Sequence, residues 1–216
     1  MRRYDEIQKQ YNSYLSRRLK KADEFLIREI VRRTTDENMI LDLASGMGML
    51  LLILSKRRTG ARVIGTDVDE TPLRGAMLKL REEGTYGRVS LCVMDGKRLA
   101  VKSKGVDCLV SHFGFNNIPR TRLALSEAAR VLKDEGRLIF SALSLKENTR
   151  SSNLARNLGY GEVATEARLV SALKHAAFRI DHIEEFYSGE WPHNPMDRLP
   201  VEGDWFAHVL VQASAG

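Results

Sequence analysis

Apolar residues at Ile7, Tyr11, Tyr14, Leu15, Leu19, Ala22, Phe25, Leu26 and Ile30 recur with the period of an amphipathic helix and predict one or two helices ahead of the first strand. The period then changes. Residues 38–43 form a short apolar run that ends in a loop of small residues, and residues 48–56 read as a buried helix. A strand is predicted over 62–66, a helix over 71–83 closed by Gly84, and buried strands over 89–94 and 106–111. A helix over 120–133 and a strand over 136–142 follow; residues 162–177 then read as a helix, and 178–186 and 205–213 as the last two strands. Two stretches break the rhythm and are expected as lid-like loops: the polar segment 144–160, and residues 187–204, which hold Trp191, His193, Pro192, Pro195 and Pro200. Strands alternating with helices predict an α/β fold, a doubly wound and mostly parallel sheet with helices on both faces. The expected organisation is one domain over 1–216, with a helical cap at 1–35, a core at 36–142, and lid loops with a final strand pair at 143–216.

Composition narrows the class. With 43% apolar and 29% charged residues in 216, the chain has enough apolar side chain to build a core. Two cysteines, Cys92 and Cys108, exclude a disulfide scaffold, and no metal site is expected. The longest apolar run, 49–54, is far short of the ~20 residues of a spanning helix. The first residues lack the apolar stretch of a secretory leader, so a cytoplasmic protein with reduced thiols is expected. The net charge is +6, and residues 1–33 carry ten Lys or Arg against five Asp or Glu. That basic segment suits RNA or an anionic surface, but it also suits a solvated helix face with pairs such as Glu24 and Arg28.

The chemical signal begins at Leu41-Asp42-Leu43-Ala44-Ser45-Gly46-Met47-Gly48. Two glycines between a strand and a helix let a ligand approach the backbone closely. Ligands of open α/β sheets bind beyond the carboxyl ends of the strands. Asp67 follows Gly48 by 19 residues, the spacing at which an acidic residue grips ribose hydroxyls. A dinucleotide fingerprint requires a third glycine, and Leu51 or Met49 stands there instead. S-adenosylmethionine (SAM) has no pyrophosphate and needs only the turn, with the Asp42 carboxylate organising its ammonium end. Asp95 ends the third strand in Met94-Asp95-Gly96, where it is suited to an adenine amino group with Met94 packed on the ring; the plain alternative is an Asx turn.

On these residues the chain resembles the class I SAM-dependent methyltransferases, in particular the ubiquinone/menaquinone-type enzymes and their small-molecule relatives. The carrying segments are residues 41–48, Gly65-Thr66-Asp67-Val68, Met94-Asp95-Gly96, Asp107-Cys108-Leu109-Val110-Ser111, and Glu127-Ala128-Ala129-Arg130-Val131-Leu132-Lys133. Ala44 replaces a common glycine, and Asp134-Glu135-Gly136 replaces the usual Pro-Gly-Gly of a surface turn. The resemblance implies a seven-stranded Rossmann-like sheet in the order 3-2-1-4-5-7-6, with strand seven antiparallel. It also implies SAM as cofactor, S-adenosylhomocysteine (SAH) as product, and a cofactor site built from Tyr11, Asp42, Ala44, Ser45, Gly46, Gly48, Asp67, Val68, Met94, Asp95, Gly96, Ser111, His112 and Phe113.

The acceptor is less legible. Methyl transfer from a sulfonium is an in-line displacement, so a general base is needed only for a protonated nucleophile. Ser111-His112-Phe113-Gly114-Phe115-Asn116-Asn117 lacks the Asn/Asp-Pro-Pro-Tyr/Phe loop of many nucleic-acid amine methyltransferases. His112 is a candidate base or a wall of the cofactor pocket, and His193 is a second candidate base. Asn116 and Asn117 are expected to cap the helix that begins near Pro119. The reading is therefore a SAM-dependent methyltransferase acting at oxygen or carbon of a small molecule, monomeric or homodimeric. Set against it are an RNA methyltransferase using the basic N-terminal helix, a non-catalytic binding protein of the same fold, and an NAD(P) oxidoreductase.

Overall fold

The computed structural model describes residues 17–35, 39–191 and 199–216. The chain runs α1 (Arg17–Arg32), β1 (Met39–Leu43), α2 (Met49–Arg57), β2 (Arg62–Asp67), α3 (Glu70–Glu82), β3 (Val89–Val93), β4 (Val106–His112), α4 (Thr121–Val131), β5 (Leu132–Leu145), α5 (Arg150–Asn157), α6 (Glu166–His175), β6 (Phe178–Glu190) and β7 (Trp205–Ala215). The seven strands form one sheet in the order β3-β2-β1-β4-β5-β7-β6, as expected. The first five are parallel, and β7 is antiparallel to both of its neighbours.

Strand pleating divides the side chains between two cores. Leu41, Leu43, Leu109, Leu138 and Phe140 face Leu125 and Leu169 of α4 and α6. Ile40, Val110, Ile139 and Leu210 belong to the opposite cluster, which Leu26 and Ile30 of α1 and Leu50 and Leu54 of α2 complete. Alternation therefore assigns Asp42, His112 and His208 to the α1 face, each two residues along its strand from Ile40, Val110 or Leu210. Covered on both sides, β4 reads as a nearly unbroken apolar run with Val106, Cys108, Leu109 and Val110 fully buried. Burial pushes the Cys108 thiol up to about 12, which leaves it an inert core group.

Several local expectations are corrected. The helix read to residue 133 ends at Val131, where Leu132 turns extended (φ −68°, ψ 143°) and opens β5. Opposite β4, pairing jumps from Val106↔Leu132 to Cys108↔Arg137, so Asp134-Glu135-Gly136 is an excursion within β5, with Glu135 at φ 58°. The polar segment 144–160 is not all loop. Ser144 and Leu145 extend β5, and a capping box between Thr149 and Ser152 starts α5. Asp204 accepts from Ser151 N–H at 2.7 Å and pairs with Arg150, so α5 is bonded to the second expected lid. In that second stretch β6 reaches Glu190, and Trp191 is buried edge-on to Phe206 at 4.9 Å. On α1, Glu29 bridges Arg32 and Arg33; the anticipated Glu24–Arg28 pair is not among the ion pairs of the described residues.

Candidate functional site

A cleft of about 510 Å³ opens at the carboxyl ends of β1, β2 and β4. Its floor is the turn after β1. Ala44, Gly46 and Gly48 all have positive φ (56°, 51° and 73°), so the chain reverses sharply before α2. Ser45 stitches this turn to β2: its N–H donates to Thr66 O, its hydroxyl donates to Asp42 O, and Thr66 N–H donates to Ser45 Oγ. Gly46 N–H donates to Asp67 Oδ2 at 2.9 Å, which fixes the carboxylate at the rim. The Gly46 position faces open space, with no atom within 4 Å of where a Cβ would stand.

Asp42, Asp67 and Asp95 line this one cleft, as their strand positions predict. Asp42 is 1% exposed, and neither carboxylate oxygen has a hydrogen-bond partner among the described residues. Burial raises its pKa well above the ordinary carboxylate range; the nearby Ser45 hydroxyl, which donates to the Asp42 backbone carbonyl, opposes the rise, and the Asp67 charge adds a smaller one. An unpaired buried carboxyl is costly, and it matches a ligand cation arriving from the cleft. Asp95 is held low by the Lys97 N–H, at 2.9 Å, and by the Lys97 ammonium, at 3.2 Å. It thus makes the Asx turn and also lines the cleft.

Two residues expected in the cofactor site lie behind it. Gly48 does not line the cleft; a Cβ there would stand 2.6 Å from Ala76 Cβ, so this glycine lets the turn pack on α3. Ser111 is fully buried, and its hydroxyl donates to Leu43 O at 2.7 Å beneath the floor. Ala44, Ser45, Gly46, Val68, Met94, Gly96, His112 and Phe113 do line the cleft. Tyr11, Tyr14 and His193 lie outside the described residues.

His112 Nδ1 is 2.7 Å from Ser141 Oγ, and its ring lies against Phe113 at 4.4 Å. Burial, then the neighbouring His208, push its pKa down to about 3. The imidazole lines the cleft. Asn116 does not cap α4; it exchanges hydrogen bonds with both backbone groups of Leu143, and Asn117 donates to Phe113 O. The α4 N-terminus is met instead by Glu162, which accepts from Arg122 N–H at 2.7 Å.

Sequence reasoning missed Asp23 and Gly114. Asp23 lines the cleft from α1. A Cβ on Gly114 would stand 2.3 Å from Ser111 Oγ and 2.8 Å from Ala44 Cβ, so the turns after β1 and β4 touch there. The Gly114-containing segment was in view, but nothing in its spacing signals that contact.

Sheet order and cleft together define the class I methyltransferase fold. More particularly, residues 41–140, a little under half of the chain, match the family described as "Methyltransferase domain". The chain is 35% identical over 104 residues to the ubiquinone/menaquinone biosynthesis C-methyltransferase UbiE of Hydrogenovibrio crunogenus, covering 47% of this chain and 41% of that protein. The chain therefore aligns with less than half of that relative's length. A SAM-dependent methyltransferase from Aquifex aeolicus has a similar structure (TM-score 0.65, 20% identity, 90% of this chain and 89% of that one). So does the [4+2]-cyclase SpnF (TM-score 0.70, 16% identity, 89% of this chain and 80% of that one). The shared fold thus hosts more than one chemistry. Among the described residues no helix is long and apolar enough to cross a membrane, and no cluster of metal-ligating side chains occurs.

Proposed function

We propose that this protein transfers the methyl group of SAM to oxygen or carbon of a small-molecule acceptor. The observation that carries the reading is the buried Asp42 carboxyl, without a partner at the floor of a glycine-turned cleft whose rim holds Asp67 and Asp95. The residues fit the group: a carboxylate for an ammonium, a bare turn at Gly46, and two rim carboxylates for ribose hydroxyls and an adenine amino group. When bound, SAM supplies a methyl group on a positively charged sulfur that leaves as a neutral thioether. Asp42 holds the ammonium end, directly or through water. Asp67, fixed by Gly46 N–H, presents its carboxylate to the ribose. Met94 and Asp95 take the adenine side, while Phe113 and His112 wall the methyl end and exclude water.

The RNA reading is weaker. The basic pocket of Arg28, Arg32, Lys56, Arg57 and Arg58 gathers at the C-terminal end of α2, whereas Met49 and Leu50 at its other end line the cleft. Incubation with methyl-labelled SAM and either a small-molecule cell extract or total RNA separates the readings. Label is expected in the small-molecule fraction; label confined to RNA, or to neither fraction, contradicts the proposal.

A further inference from the structure

Across β1 from the Asp67 and Asp95 rim, the cleft meets Asp23 of α1 and His112 of β4, with His208 of β7 behind Phe113. Asp23 lies one turn ahead of the buried Leu26 and Ile27, on the face of α1 that packs over β4, β5, β6 and β7. It lines the cleft, and its Oδ1 stands 3.7 Å from His208 Nδ1. His208 is buried on β7, and that nitrogen has no hydrogen-bond partner among the described residues. Aromatic rings enclose the imidazole: Phe113 at 5.0 Å, Phe206 at 5.3 Å and Tyr187 at 6.0 Å. Phe113 is also the cleft's wall, so one ring separates the cleft from His208.

We propose that Asp23 is the base that takes the proton of the methyl acceptor, with His208 packed beside its carboxyl. This assignment rests on the methyl-transfer reading above. As the acceptor's oxygen or carbon forms its bond to the methyl carbon, the carbon–sulfur bond breaks and its electron pair stays on sulfur. The acceptor's proton passes to the Asp23 carboxylate and from there to water. Asp23 suits this role better than its neighbours do. Burial, then Glu24 on its own helix, lift it to about 7, so it is partly ionised at neutral pH and basic enough to hold a proton. Burial holds His208 at about 4 and His112 at about 3, so both imidazoles are neutral there. Asp42, the fully buried carboxyl of the cleft, faces the ammonium end instead.

Two readouts test the assignment. In protein labelled with 13C at the aspartate carboxyls, an NMR titration is expected to show a resonance with an inflection near pH 7 that is absent in Asp23→Asn. With methyl-labelled SAM and the small-molecule extract, Asp23→Asn is expected to transfer label at least ~100-fold more slowly while binding SAH as tightly as the natural protein. Transfer by Asp23→Asn within tenfold of the natural rate, an Asp23 carboxyl titrating in the ordinary range, or joint loss of SAH binding overturns the base assignment. A natural protein that binds no SAH, or binds it and labels nothing, overturns the methyl-transfer reading itself.

Discussion

Gly46→Val is expected to bind SAH at least ~100-fold more weakly than the natural protein while still unfolding in one cooperative transition. The φ of 51° at this position costs an L-residue roughly 1–2 kcal/mol. A Cβ meets no atom within 4 Å, so backbone strain is the main penalty on the fold. The two cores on either side of the sheet lie away from it. The isopropyl group instead occupies the cleft where the backbone would otherwise meet the ligand. Gly48→Val provides the contrast: its Cβ would stand 2.6 Å from Ala76 Cβ, so stability falls together with binding. Calorimetric SAH titrations paired with thermal melts distinguish the two. Natural affinity in Gly46→Val would show that the turn is not the binding floor.

The second large effect concerns Asp42→Asn, which is expected to weaken SAH binding about 10- to 100-fold, the loss of a charge-assisted hydrogen bond worth roughly 1.5–3 kcal/mol. In the ligand-free protein the same change is expected to raise stability at neutral pH. The folded-state pKa of Asp42 lies well above the unfolded value of 3.8, so the stability it contributes is complete below that value and is lost as pH rises through the folded pKa. Asparagine carries no such charge, so its advantage over the natural residue grows with pH. Natural SAH affinity is expected to rise over the same range, because the carboxyl must ionise to meet an ammonium. Thermal melts at about pH 5 and about pH 8, with and without SAH, measure both halves. An asparagine variant that melts lower at neutral pH without ligand would mean that the carboxylate already has a structural partner.

Most of the sheet was legible because parallel strands buried on both faces announce themselves as apolar runs, and β1, β2 and β4 do so. The Asp42, Asp67 and Asp95 positions were legible for the same reason, since each follows such a run. The side on which a residue falls was harder to read. Ser111 stands next to His112 in sequence, but the pleat sends its hydroxyl under the floor to Leu43 while His112 reaches the cleft. Gly48 belongs to the same turn as Gly46, yet contact with α3, a partner remote in sequence, decides its role. The Asp23–His208 pair was out of reach because it depends on which strands α1 crosses and on the antiparallel placement of β7 between β5 and β6. α5 was read as loop because its polar sequence carries serine, not glutamate, at the third position of its capping box.

The most direct measurement is a pair of calorimetric titrations of the purified protein, one with SAH and one with NAD, repeated in buffers of different ionisation enthalpy. SAH is expected to bind one to one at micromolar concentration and to release protons as Asp42 ionises, whereas NAD produces no binding heat. Binding of NAD, or the absence of any SAH heat, would show that the carboxylates above this sheet were assembled for a different ligand.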